Sequence, residues 1–192
     1  MNEGTLYTVG EIAAQLTATG VPHATARARV TGYAKHSMIV IRERGKGNTS
    51  PHRYGVADVA MSAILSALQD MGVADRETLR FVAASCYEWP TNNAFHDFQD
   101  RVRGIPAPIT GAMLVTELGE YSAFFLDLYR NPMTGQRRMF AHIAQAYLPD
   151  WNAVDLDPLN WIPVATISVP LPDLFAPVLA NAVRLASKAS TG

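Results

Sequence analysis

The residues best suited to chemistry in this sequence are basic side chains near its N-terminus. The stretch RERGKGNTSPHRYG, residues 42–55, holds four fixed cations, one histidine and three glycines. Lysine and arginine neutralise phosphates and release counterions, and glycines let the backbone approach a phosphate closely. This composition predicts contact with a polyanion.

The distribution of charge makes this cluster of bases informative. The 192-residue chain has a formal net charge of −1, but residues 1–56 hold seven lysines and arginines against three acidic residues. Glu43 is the only acid between residues 12 and 57. A loop that needs only solubility is served equally well by acidic residues, so the asymmetry favours a surface that faces nucleic acid.

The residues that could serve catalysis or metal binding lack the necessary neighbours. Cys86 precedes His96 and Asp97 by ten residues, but no glycine motif surrounds it and it lies in a predicted helix. The aspartates of residues 150–157 lack the glycine turn and terminal glutamate of a calcium loop, and the five histidines show no ligand spacing. We therefore predict no enzymatic activity, no catalytic residues, no metal site and no cofactor.

The composition is that of a soluble protein with its own hydrophobic core. Hydrophobic residues make up 48% of the chain and charged residues 17%. No apolar run reaches the roughly 18 residues of a membrane span, and the N-terminus has no basic start before an apolar stretch. The single cysteine excludes an internal disulfide. These features predict a cytoplasmic protein without a membrane partner.

Two short helical patterns must position the first basic side chains. Thr8 and Glu11 form a predicted capping box at the start of the first helix. Gly20 and Pro22 break that helix, and a second helix is predicted from about His23 to about Lys35. Two short helices joined by a tight glycine turn are typical of a helix-turn-helix.

A hairpin follows the second helix. Residues 38–42 form a β-branched apolar run that predicts a strand, residues 45–51 form a loop, and residues 52–54 can return as a second strand. A basic hairpin directly after a helix-turn-helix is typical of a wing. Further helices are predicted from Asp58 to Met71 and from Asp75 to Pro90.

The order of these elements resembles a known family. The segments YTVGEIAAQL and HRYGVADVAMSAILSALQDMGV, with the hairpin between them, are similar to the winged-helix DNA-binding domain of MerR-type bacterial regulators over about residues 5–85. The resemblance implies that Arg27 contacts backbone phosphate and that Arg53 and Tyr54 form the wing's arginine–tyrosine pair. It does not imply metal sensing, because no metal-binding cysteines follow.

Together, these features predict a sequence-specific transcriptional regulator of MerR-like type that binds promoter DNA as a homodimer. Helix 23–35 would enter a major groove, the wing would grip the backbone or minor groove, and donors at the first helix N-terminus would meet phosphate. Two alternatives are an excisionase-like architectural protein of a phage or mobile element, and a winged-helix protein-interaction module. The predicted DNA-binding residues are Thr8, His23, Thr25, Arg27, Arg29, Arg42, Arg44, Lys46, Asn48, Thr49, Arg53 and Tyr54.

The remaining sequence predicts a smaller α+β domain. We expect a helix over residues 91–103, a Pro/Gly linker over 104–111, a β-hairpin turning at 131–135, a strand in WIPVATISV and a terminal helix from Pro172 to Lys188. The predicted fold class is α+β, with domains at 1–88 and 107–192 joined by 89–106. The second domain is expected to dimerise or to bind a small-molecule or protein effector. Four aromatic residues could line an effector pocket, although such residues are more often core: Phe125, Tyr129, Phe140 and Trp161.

Overall fold

The computed structural model describes residues 5–45, 50–88, 106–145 and 161–189. Within these ranges the chain has six helices and two small antiparallel sheets, so the predicted α+β class is confirmed. Two compact units divide the chain. The first comprises described residues up to Ala84 and from Pro172 onward, and the second runs from Ser85 to Leu171. The domain boundaries expected from the sequence stay a prediction.

Helices α1 (Val9–Ala18) and α2 (His23–Lys35) form with the bounds predicted for them. The capping box of Thr8 and Glu11 starts α1, and Gly20 adopts a φ of +98° in the turn. A positive φ is available to glycine at little cost, which is why the chain can reverse there. The two helices pack on one another through residues at helical spacing: Ile12, Ala13 and Leu16 of α1, and Ala26, Val30 and Tyr33 of α2.

The predicted hairpin is confirmed, although its first strand is shorter than expected. Strands β1 (Ile41–Glu43) and β2 (Arg53–Tyr54) pair antiparallel. Residues 38 and 39 were predicted as strand, but they are buried and belong to the turn that leaves α2, where Met38 N donates to Tyr33 O at 2.9 Å. Their burial anchors the hairpin to the helical core.

Helix α3 (Val56–Asp70) supplies much of the core of the first unit. Its residues are buried almost all round, from Asp58 through Ser66. Gly72 ends it at a φ of +92°, and Asp75 accepts a hydrogen bond from Thr78 N at 2.8 Å where α4 (Arg76–Tyr87) begins. The predicted helix starts at Asp58 and Asp75 and the stop at Gly72 are therefore confirmed to within two residues.

The second unit combines α5 (Pro108–Glu117) with a three-stranded antiparallel sheet of β3 (Ser122–Arg130), β4 (Arg137–Gln145) and β5 (Ile162–Pro170). The strand order is β4-β3-β5. The linker predicted over 104–111 is wrong at its end, because residues 108–111 form the first turn of α5. Proline suits that position since its missing N–H has no helical acceptor.

The predicted turn between β3 and β4 is confirmed. Asn131 Oδ1 accepts hydrogen bonds from Met133 N at 2.9 Å and from Thr134 N at 3.0 Å, and Gly135 has a φ of +70°. An asparagine that folds back on its own backbone and a glycine with positive φ are what a tight reversal needs. The nine-residue register between the strands follows from this turn.

The two faces of the sheet differ in burial. The face of Ser122, Phe124 and Leu126 is buried and includes Ile143 and Val169. Helix α5 packs against β3 and β4, and Thr116 Oγ1 lies 3.5 Å from Ser122 Oγ. On the other face of β3, Ala123 is buried, whereas Phe125, Asp127 and Tyr129 are only half-buried.

Helix α6 (Leu171–Ala189) confirms the predicted terminal helix. Pro177 lies inside it, where its ring removes one backbone hydrogen bond of the helix. The described part buries Phe175, Val178 and Leu179. The predicted helix over residues 91–103 lies outside the described residues.

Candidate nucleic-acid interface

The N-terminus of α1 is closed by its own capping box. Thr8 N donates to Glu11 Oε2 at 2.7 Å, and Thr8 Oγ1 donates to the same oxygen at 2.9 Å. Glu11 N in turn donates to Thr8 Oγ1 at 3.3 Å. The Thr8 donors expected to meet phosphate are thus engaged with a carboxylate, which would repel a phosphate at this helix end.

The start of α2, unlike that of α1, has no carboxylate of its own beside its first N–H groups. His23, Ala24, Thr25 and Arg27 are all exposed. The helix has no acidic residue in its first turn and no side-chain cap on its first N–H groups. Uncapped N–H groups and the positive end of the helix dipole favour an anion. Among the described residues, no acid forms an ion pair with Arg27.

Arg29, which the sequence predicted as a DNA contact, is hydrogen-bonded to two residues of α3. Its Nη1 donates to Ser66 Oγ at 2.7 Å and to Ser66 O at 3.3 Å, and its Nη2 donates to Asp70 Oδ1 at 2.7 Å. The side chain is only 17% exposed, and its hydrogen bond to the Asp70 carboxylate raises its pKa. Arg29 therefore ties α2 to α3 and has few donors left for a ligand.

A buried carboxylate fixes the base of the hairpin. Asp58 is 0% exposed; its Oδ1 accepts from Val40 N at 2.8 Å, and its Oδ2 accepts from Gly55 N at 2.8 Å. Val40 precedes β1 and Gly55 follows β2, so one side chain of α3 holds both ends of the hairpin. The sequence predicted only the helix start at Asp58, since a residue three positions into a helix carries no signal for a contact 18 residues away.

Three arginines lie on or next to the hairpin strands: Arg42 on β1, Arg44 directly after β1, and Arg53 on β2. Arg42 Nε is 3.7 Å from Asp58 Oδ2, and its side chain is 48% exposed. Arg44 and Arg53 are exposed, and neither is paired with an acid in the described parts of the chain. Three further predicted contacts lie outside the described residues: Lys46, Asn48 and Thr49.

The fold of the hairpin explains why the first residue of the loop, Gly45, is a glycine. A Cβ at Gly45 would overlap the backbone carbonyl of Ser50 across the loop. Gly45 N also donates to His52 Nδ1 at 3.2 Å. Close approach of the two sides of the hairpin thus requires glycine at position 45, independently of any phosphate.

Tyr54 lies in the core and not on the surface expected for it. It is 2% exposed, and burial, followed by the charge of Asp58, raises its pKa. Its backbone forms a two-way bridge with Tyr7: Tyr7 N donates to Tyr54 O at 2.8 Å, and Tyr54 N donates to Tyr7 O at 2.9 Å. The bridge places the start of α1 beside β2.

Two of the four aromatic residues expected to bind an effector contact polar side chains that the sequence did not single out, and the other two contact each other. Phe125 stacks on His142 at 5.2 Å, Tyr129 meets Phe140 edge-on at 5.8 Å, and Arg138 lies over Trp161 at 4.4 Å. On the same face, Asp127 Oδ2 is 3.6 Å from His142 Nδ1, and Asp127 Oδ1 accepts from Thr166 Oγ1 at 2.6 Å. The signal that could have revealed this cluster is Asp127 itself, a lone acid in an apolar strand.

Comparison with known proteins gives no indication of function, so any functional proposal must be argued from the residues of this chain. No family model matches the sequence, and no curated protein or solved structure matches it either. In the described ranges, no helix is both long and apolar enough to cross a membrane. Three or more histidine, cysteine or acidic side chains do not converge on a common point anywhere in those ranges.

Proposed function

We propose that this protein is a sequence-specific transcriptional regulator whose first unit is a winged helix-turn-helix head of MerR-like type. In this proposal α1 and α2 form the helix-turn-helix and the β1–β2 hairpin is the wing. The observation that carries it is a set of exposed arginines without acidic partners in the described residues: Arg27 on the second helix, and Arg44 and Arg53 on the hairpin that follows.

In the proposed binding mode, some residues position the protein on the DNA backbone and others recognise the bases. The exposed first turn of α2 enters a major groove, where His23 and Thr25 reach base edges. Arg27 neutralises a backbone phosphate. Arg44 and Arg53 hold the adjacent backbone or minor groove, and Asp58 keeps the hairpin base fixed so that little ordering is required on binding.

A homodimer on promoter DNA completes the proposal. One small head offers few phosphate contacts, so two heads on a two-fold related site are needed for tight binding. In the described residues, one head has too few exposed basic side chains to bind strongly at physiological salt. Sedimentation velocity of the full chain, with and without duplex, tests for the dimer; a monomer in both conditions contradicts this part of the proposal.

The direct test is duplex binding measured by fluorescence anisotropy over a salt series. An Arg44→Gln/Arg53→Gln variant is expected to bind more weakly. The negative slope of log K against log salt should also become shallower by about two, since each lost phosphate contact removes about 0.9 from its magnitude. Arg130→Gln/Arg137→Gln removes the same charge from exposed residues of the second unit and should leave the slope unchanged.

Two other outcomes would redirect the assignment. Absence of duplex binding by the wild-type chain even at low salt favours the protein-interaction module. Genome-wide mapping that finds one site beside an integration locus, and none beside promoters, favours an excisionase-like architectural protein, which would use the same head.

A further inference from the structure

A second potential site lies in the first unit, on a different part of α2. A cleft of about 290 Å³ opens between the second half of α2, the end of α3 and the start of α4. It is built entirely from residues between 28 and 79. None of the residues assigned to DNA in the proposed function lines it.

The cleft wall has an apolar part and a polar part. Met38 and Leu79 are buried and supply apolar surface, together with Ala28 and Ala74. The polar groups include Arg76 and His36, together with others already bonded inside the protein: Arg29 to Asp70, and Tyr33 to Gln69. An apolar wall with a few polar groups is the usual composition of a small-molecule site.

An unusual backbone residue turns two of these side chains toward the same space. Ser37 has a φ of +55° and is the one described non-glycine residue with positive φ. It lies between His36 and Met38, which both line the cleft. Ser37 follows the C-cap of α2, where helices commonly end in a left-handed residue.

The charges around the cleft favour an anion. Three fixed cations lie close to His36: Arg76, Lys35 and Arg80. Desolvation lowers the pKa of His36 most, and the charges of these cations lower it further. No ion pair connects these four residues to an acid of the described chain. Arg76 is the first residue of α4, at the positive end of the helix dipole, where a cation is unfavourable. Arg76 is exposed and lines the cleft, so its guanidinium is accessible to an anion bound there.

We propose that this cleft binds a small organic anion, with its apolar body on Met38 and Leu79 and its anionic group at Arg76 and His36. The site is independent of the proposed DNA surface. It would give the head its own small-molecule input, separate from the aromatic face of the second unit.

Two dyes that differ by one charged group provide the test. The full chain is titrated with anilinonaphthalene sulfonate and with phenylnaphthylamine, which has the same aromatic body without the sulfonate. Arg76→Gln is expected to weaken binding of the sulfonate about tenfold, the value of a lost charge-assisted contact, and to leave the neutral dye unchanged. Equal affinity of the variant and the wild type for the sulfonate overturns the proposal.

A cleft-filling variant locates the dye without removing charge. A Cβ at Gly32 meets no atom within 4 Å, and Gly32 lines the cleft from inside α2. Gly32→Met should therefore fold, because it also raises helix propensity, and it should abolish binding of both dyes. Unchanged binding of both dyes by this variant overturns the proposal.

The same variants separate the cleft from the DNA surface. Arg76→Gln is expected to leave the salt dependence of duplex binding unaltered. If it weakens duplex binding and not sulfonate binding, the cations serve DNA phosphate and the small-molecule site is refuted. Failure of the wild type to bind duplex refutes the proposed regulator but leaves the dye experiment intact.

Discussion

The hairpin depends on one carboxylate, which makes Asp58→Asn the most informative single substitution. Asp58 accepts one hydrogen bond on each oxygen, from Val40 N and from Gly55 N, both at 2.8 Å. The asparagine side chain is nearly the same size but replaces one of these acceptors by an NH₂ group. One buried backbone donor would then face another donor.

The size of the effect follows from these contacts. Leaving one buried N–H without an acceptor costs about 1–3 kcal/mol. Loss of the attraction to Arg42 adds less than about 1 kcal/mol, because that side chain is 48% exposed and screened by water. We expect the free energy of unfolding to fall by about 1–4 kcal/mol, which is less than the total stability of a typical domain.

Urea unfolding followed by circular dichroism measures this loss, and amide hydrogen exchange localises it to Val40 and Gly55. Asp75→Asn is the matched control: Asp75 caps α4 from an exposed position, and asparagine is an equally good cap. Equal stability of Asp58→Asn and wild type would refute the clamp. So would protection at Val40 and Gly55 that remains as in the wild type.

Two further predictions concern the turn after α2. Ser37→Gly should stabilise the chain by about 0.5–1 kcal/mol, because relief of a left-handed conformation outweighs the extra backbone entropy of glycine; a lower urea midpoint would contradict it. The pKa of His36 is lowered from 6.5 by desolvation and by Arg76, Lys35 and Arg80. The unfolded chain therefore takes up this proton first, so stability is retained above pH 6.5 and lost as pH falls from there through the lower folded-state pKa. His36→Gln should flatten this decline in thermal unfolding between pH 7 and 5, and an unchanged slope would show that His36 does not cause it.

Local signals in the sequence were sufficient for most elements. Thr8 with Glu11, Gly20 and Asn131 each act within a few residues, so the α1 start, the turn before α2 and the β3–β4 turn follow from capping and turn chemistry. Residues 38 and 39 show the limit of this approach. The apolar residues Met38 and Ile39 fit a strand as well as a buried turn, and the choice depends on tertiary packing and on the hydrogen bond from Met38 N to Tyr33 O.

The candidate site was less predictable, because exposure depends on tertiary packing. A resemblance to known wings implied a surface role for Tyr54, yet the ring is buried and its backbone pairs with Tyr7. Thr8 was expected to donate to phosphate, yet both donors meet Glu11. Composition identifies donors along the chain but does not show which of them the fold has already used.

Helix α2 shows how the fold partly buries one arginine and exposes another two residues away. Arg27 and Arg29 are two residues apart, so their side chains lie about 200° apart around the helix axis. Because Ala26 and Val30 face the core, Arg29 falls at its edge and reaches Ser66 and Asp70, while Arg27 points to solvent. In the proposed complex, a duplex would therefore meet Arg27 and the exposed first turn of α2. Any DNA complex that used Arg29 instead would first have to break the link between α2 and α3.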